Sequence, residues 1–268
     1  NILEKIKRGP NRVDVDELRP GDLEEPEVSG AYLLKVDRVD PGDSGLSAGG
    51  RTIAYVDPKE DDIQSIERDP QEQFIRSYMN SFWTALRGPD SADPLLGYAP
   101  FIDKGSWIDQ HIVDTLTFNS NAFGRSAYFR KVRNGPLVYG PVWDYDRSLG
   151  SSGGGDRNPD SWGNAFFTDM WWFRLFRDPN FWQLWIDRWQ QVRTEQLSDR
   201  GINAMIDTFA ARVEESAERD FTRWRQRKAD GSQIGEIRHL KDWLLARSTF
   251  MDTNVLSRPQ FSRASGSF

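Results

Sequence analysis

Two aspartates two residues apart, Asp144 and Asp146 in the run Trp143-Asp144-Tyr145-Asp146, are the residues of this chain best suited to chemistry. In an extended strand both would project to the same side, where their charges repel unless a cation sits between them; a divalent metal would satisfy both. The other reading is that they cap a turn and accept hydrogen bonds from nearby amides, as most such pairs after strands do. Upstream lies a second polar segment, Asn119-Ser120-Asn121, whose amides can orient a hydroxyl or offer a carbonyl oxygen to a metal.

The elements around these residues would have to position them. A helix should end at Asn119, and Ser126 to Val142, rich in β-branched and aromatic residues around Asn134-Gly135, reads as a β-hairpin with a tight turn. The aspartates then emerge from its second strand. Protein kinases arrange their catalytic loop, hairpin and magnesium-binding aspartate in this same order.

The chain resembles the spore-coat protein H (CotH) kinase family of atypical, secreted protein kinases. The resemblance is carried by Gly-Pro-Val-Trp-Asp-Tyr-Asp at 140–146, Ser-Trp-Ile-Asp-Gln at 106–110 and Gly-Ala-Tyr-Leu-Leu-Lys-Val-Asp at 30–37. Trp171 to Pro179, Leu240 to Leu244 and Met251-Asp252 extend it over nearly the whole chain. It implies binding of ATP with magnesium and phosphate transfer to Ser or Thr of a protein substrate. Asp144 is then the metal ligand, with Asp146 a second ligand or a partner of the first, and Asn119 and Asn121 face the substrate side of the phosphates. Glu4 matches the family's strand-borne glutamate near the nucleotide, with a surface glutamate on an edge strand as the alternative. Lys35 would line the cleft or be solvated, and Arg125 would contact phosphate or pair with a carboxylate.

Two departures from the family matter. Asn121 stands where the catalytic aspartate is usual, and an amide cannot act as a carboxylate base. The chain also opens at a point resembling the interior of the family domain, so that upstream strands are expected to be missing. Two functions follow from the resemblance: an atypical kinase, or an impaired pseudokinase serving as a scaffold or adhesion module among other domains of a larger secreted or cell-surface protein.

Composition narrows the alternatives. The 268 residues are 37% hydrophobic and 13% aromatic, ample for a buried core. A net charge of −6 argues against nucleic-acid binding, which needs a basic stripe. No apolar run is long enough to span a bilayer. With no cysteine and only His111 and His239, zinc and thiol chemistry are excluded as working hypotheses.

The fold expected is α+β and kinase-like, with a small antiparallel sheet portion, a larger helical lobe and the hairpin leading into Asp144. Strands are expected within Asn1–Val15, at Ala31–Val36 and at Thr52–Val56. A helix capped by Asp69 should bury Phe74, Ile75, Tyr78, Met79, Phe82, Trp83 and Leu86, and another should start with Ser106 as its cap. His111 falls on the apolar face of that helix, which points to a packed histidine. Phe166 to Arg177 reads as a helix, and Ser198 as the cap of a long one burying Ile202, Met205, Ile206, Phe209 and Val213. The tryptophans follow helical spacing, which favours core packing over sugar stacking. Residues 1–256 form the expected kinase-like domain, and 257–268 a linker toward a following domain.

Overall fold

The computed structural model describes residues 4–42, 44–151, 155–169, 171–224 and 232–255. The chain is α+β, a small five-stranded antiparallel sheet with several helices, compatible with a kinase-like fold. It divides into two compact units. The first comprises residues 1–111, 120–144 and 164–182, and the second 112–119, 145–163 and 183–268.

The first unit holds the whole sheet. Its strands are β1 (Tyr32–Val36), β2 (Leu46–Ala48), β3 (Arg51–Asp57), β4 (Ala127–Lys131) and β5 (Leu137–Tyr139), ordered β2-β3-β1-β4-β5. β1 is central, pairing with β3 on one side and β4 on the other, and is buried at four of its five positions. Gly30, just before β1, is required by close approach: a Cβ there would lie 2.1 Å from the backbone nitrogen of Arg133. The hairpin turn is thereby held against β1, and Asn134 donates its N–H to Ser29 Oγ at 2.9 Å. Asn134 has φ +52°, the left-handed conformation for which asparagine is well suited.

The expected strand at 52–56 is β3, and that at 31–36 is β1. The strand pair expected within Asn1–Val15 is not formed by the described residues there. Arg8 and Val13 make only an isolated bridge, because Gly9 turns the chain with Arg12 N–H on its carbonyl. β2 is a short strand because Leu46 and Ala48 alternate inward beside β3.

A short helix α1 (Glu60–Ile63) precedes α2 (Asp69–Arg87), which buries Ile75, Met79, Phe82 and Leu86, while Phe74, Tyr78 and Trp83 at the edges of the expected stripe are only half-buried. Asp69 lies inside the helix rather than capping it, with Pro70 in its first turn. α3 (Lys104–Leu116) begins two residues before the expected Ser106 cap. Asp103 is the cap, accepting Ser106 N–H at 2.7 Å. The Ser106 hydroxyl is used elsewhere: it accepts the N–H of Tyr139 at 3.1 Å and so ties α3 to β5.

The aromatic core of this unit centres on Trp107. Fully buried, it touches Phe82, Phe129, Tyr139, Trp171 and Trp172, and its indole N–H donates to Leu137 O at 3.0 Å. Trp171 and Trp172 reach it from a run of turns ending in the four-residue α4 (Trp172–Leu175), where a helix from Phe166 to Arg177 was expected. Aromatic residues on all sides of this segment, rather than on one stripe, are satisfied by irregular turns that point rings inward from several directions.

His111 is fully buried among Phe123, Phe167, Trp172 and Phe176, as a packed residue should be. Its Nε2 lies 2.8 Å from Phe166 O, which can only accept, so Nε2 carries the proton.

The chain continues through α5 (Pro179–Thr194), which begins in the first unit and passes into the second. The second unit is helical. Trp185, Trp189 and Val192 of α5 are buried there, with α6 (Asp199–Trp224) and α7 (Gln233–Val255). Ser198 caps α6, accepting Gly201 N–H at 3.1 Å. Only Ile202 and Ile206 of the expected α6 stripe are buried; Met205, Phe209 and Val213 are about half exposed. The periodicity was read correctly but the apolar stripe is wider than the face that α6 buries. Residues 257–268, expected as a linker, and 152–154 of the glycine-rich connection lie outside the described residues.

Burial pushes the His111 pKa down to about 3 from an ordinary 6.5. Below the ordinary value the unfolded chain takes up a proton that the folded ring refuses, so stability falls as pH drops from about 6.5 toward 3. Relative to His111→Gln, which cannot be protonated, the parent should lose about 1.4 kcal/mol per pH unit below 6. Urea unfolding at a series of pH values measures this; parallel pH profiles would refute it.

Candidate functional site

In the first unit, the residues of interest sit at the two ends of the hairpin. Entering it, Ser120–Phe123 forms one tight turn in which Asn121 O accepts the N–H groups of Gly124 and Arg125 at 3.2 and 2.8 Å. Asn121 and Arg125 are exposed while Ala122 and Phe123 are buried. The turn is anchored to β5, since Tyr139 donates its hydroxyl to Ala122 O at 3.2 Å. A Cβ at 124 would lie 2.3 Å from the Asp169 carboxylate, which is ion-paired with Arg51 of β3.

Leaving the hairpin, Trp143 packs edge-on against Tyr128, and Asp144 follows with φ +63°. The expectation of an extended Asp-Tyr-Asp run with both carboxylates on one side is therefore not met: the chain bends at Asp144. The bend fixes the carboxylate by a bond that sequence reasoning missed. Ser126, at the mouth of β4 and itself at φ +50°, donates its hydroxyl to Asp144 Oδ2 at 3.1 Å. Asp144 also acts at longer range, for the Tyr128 phenol is pushed up to about 12, first by burial and then by the negative charges of Asp37, Asp40 and Asp144. Three carboxylates thus bear on the outer end of the strand pair β1 and β4.

Lys35 of β1 lies within this field, its ammonium 3.7 Å from Asp40. Glu4 is exposed, lies outside any strand and pairs with Arg12. The strand placement expected for Glu4 is thus not found, and these ion pairs join neither Glu4 nor Lys35 to Asp144.

In the second unit, Asn119 is buried by a helix cap. Phe118 adopts φ +58°, Phe118 N–H donates to Thr115 O at 3.2 Å and Asn119 N–H to Asp114 O at 2.8 Å. This pair of bonds is a Schellman termination of α3, with phenylalanine where glycine is usual. The strained position is held by Arg247 of α7. Its guanidinium lies 5.0 Å from the centre of the Phe118 ring and donates twice to Thr115 O, at 3.1 and 2.8 Å. Arg247 also donates to the carbonyls of Pro159 and Ser161, and stacks near Trp162 and Phe250. Burial pulls its pKa down to about 9.

Also in the second unit, the residues after Asp144 are tied to the end of α3. Tyr145 donates its hydroxyl to the buried Asp114, and Leu149 N–H to Thr117 O at 2.8 Å. Ser151 donates to Asp146 O at 3.1 Å, leaving the Asp146 side chain exposed. Ser126, Asp114 and Arg247 are the residues a reading of the sequence did not single out. Arg247 had no available signal, because its partners are carbonyls distant in the chain.

Among the described residues no group of three or more His, Asp or Glu is arranged to hold a metal, and no helix is long and apolar enough to cross a membrane. Asp144 nevertheless fits magnesium. That ion takes hard oxygen donors, and typically one or two carboxylates complete its shell with water and substrate phosphates rather than an all-protein cage.

The fold is α+β, with a small antiparallel sheet and several helices, and is compatible with a kinase-like fold. A family model described as CotH kinase protein matches residues 3–251, and the chain belongs to that family. Among curated proteins none matches the chain.

Arg247→Met keeps much of the side-chain volume but leaves the carbonyls of Thr115, Pro159 and Ser161 without their donor. It should destabilise the protein by about 3 kcal/mol or more, since each buried polar group left unbonded costs roughly 1 to 3. Urea unfolding reads this directly, and a loss under about 1 kcal/mol would show that the carbonyls find other donors.

Proposed function

We propose that this chain is an atypical protein kinase-like domain that binds ATP with magnesium and transfers phosphate to Ser or Thr of a protein substrate. The observation that supports it best is Asp144 at the exit of the hairpin, bent out of the strand and fixed by Ser126, within a family match covering nearly the whole chain. Asp144 would hold the magnesium, and Asp146 and Asn119 take the roles that their places in the motifs imply. Bound there, magnesium would neutralise charge on the phosphate oxygens.

The rest of the chemistry falls to the chain's own residues. Phosphoryl transfer asks a protein mainly for positioning and electrostatics. Asn121, exposed at the turn before the hairpin, can hold an acceptor hydroxyl through its amide but cannot take up its proton as a carboxylate would. Slow transfer is the expected consequence. Arg125, four residues on and exposed, would contact phosphate. A secreted or cell-surface setting, with protein substrates rich in Ser and Thr, accompanies the family reading.

Thermal unfolding with ATP and magnesium, separately and together, tests the proposal. A ligand at about a hundred times its dissociation constant stabilises by roughly 2.7 kcal/mol, a shift of about 5 °C or more for a protein of this size. The shift should need both ligands and vanish in Asp144→Ala. Radiolabelled transfer to a Ser/Thr-rich protein should be slow for the parent and rise by about 100-fold or more in Asn121→Asp, the range a positioned base contributes. A parent chain that shows neither shift nor transfer would overturn the proposal.

A further inference from the structure

We infer that Ser126 is a positioning residue for Asp144, its hydroxyl setting the orientation in which the carboxylate meets a divalent cation. This rests on the magnesium reading of Asp144 given above.

Ser126 and Asp144 are 18 residues apart, one at the entry and the other past the exit of the hairpin; both have left-handed backbones, at φ +50° and +63°, and they bond to each other at 3.1 Å. Serine gains little from that conformation, which glycine and asparagine adopt far more readily. A strained residue persists where its surroundings over-determine it, and such positions gather at functional sites. Here the surroundings are explicit. The backbone before Ser126 is closed by Arg125 N–H on Asn121 O, and the backbone after it enters β4, where Ala127 pairs with Val36. Between these two fixed points the Ser126 side chain, buried with its residue only 7% exposed, is left directed at Asp144.

The chemical type of the donor also matters. A lysine or arginine at this position would orient the carboxylate but compete with a metal for its charge. A hydroxyl fixes one oxygen and contributes no positive charge of its own. Bonds of this kind to metal-binding carboxylates typically change metal affinity by about 10- to 100-fold when removed.

The test is a magnesium titration at fixed ATP, read by thermal unfolding of the full chain, for the parent, Ser126→Ala, Ser126→Gly and Asp144→Ala. Glycine lacks the hydroxyl but relaxes the backbone at φ +50°, so Ser126→Gly separates loss of the bond from loss of folding. Both Ser126 variants should need about 10-fold more magnesium for half the shift. Ser126→Gly should melt without ligand within about 2 °C of the parent, a few tenths of a kcal/mol. If Asp144→Ala abolishes the shift while Ser126→Gly keeps the parent's magnesium midpoint, the inference falls and the magnesium reading stands. If Asp144→Ala titrates like the parent, or the parent shows no magnesium-dependent shift, both fall.

Discussion

The first unit depends on one hydrogen bond made inside an aromatic core, that of the Trp107 indole to the carbonyl of Leu137. Leu137 O also accepts the N–H of Asp103, the residue that caps α3, so one carbonyl on β5 fixes both the start of the helix and its first buried ring. Adding Ser106, whose hydroxyl accepts Tyr139 N–H, the second strand of the hairpin is bound to α3 at two successive inward positions. Strand spacing then leaves little freedom. Tyr139 must point at the turn holding Asn121, and the chain beyond it must leave beside Tyr128 toward Asp144. Asn121, Arg125 and Asp144 are exposed or half exposed, but their positions are set by groups in the core.

The second unit reaches a comparable result by other means. Its buried cation, Arg247, has backbone carbonyls as hydrogen-bond acceptors and aromatic faces around it. An arginine is suited to this because its planar fork reaches several acceptors at once and remains charged even when burial lowers its pKa. The carbonyl of Thr115 lies in the last turn of α3, where the helix dipole makes acceptors most negative. The bond therefore stabilises the helix end and supports the strained Phe118 that turns the chain into Asn119.

Much of this fold was legible in the sequence because its signals are local. The periods of α2 and α5, the hairpin around Asn134-Gly135, and the central strand at 31–36 each follow from residues adjacent to one another. What was not legible depends on distant residues. Ser106 looked like a cap because it precedes an apolar run, but Asp103 outcompetes it and the hairpin takes the Ser106 hydroxyl. Phe166 to Arg177 looked helical by composition, yet surrounding rings from α2, α3 and the hairpin draw its side chains in several directions. Glu4 was matched to a strand that does not form among the described residues. At the motif itself, Asp144 was found from its type and spacing, whereas its bend and its bond to Ser126 were not, since an extended Asp-x-Asp and a bent one read alike.

That bend has a physical meaning beyond this pair. Six non-glycine residues of the described chain have positive φ, and four of them, Phe118, Ser126, Asp144 and Leu149, flank the two polar motifs. Ordinary turns would use glycine or asparagine at such points, as the hairpin does at Asn134. Three of the four carry side chains with other work: Phe118 stacks with Arg247, and Ser126 bonds Asp144. Glycine would relax the backbone at each but remove the group that does that work, so the strain and the side chain have to be kept together. At Asp144 the bond from Ser126 fixes the carboxylate before any ligand arrives. For phosphoryl transfer, where positioning is most of what the protein supplies, rigidity of the carboxylate matters more than its exposure. Asn121 stands apart: its carbonyl closes the turn onto the N–H groups of Gly124 and Arg125, so under the proposed chemistry its amide would change the proton transfer and leave the turn as it is.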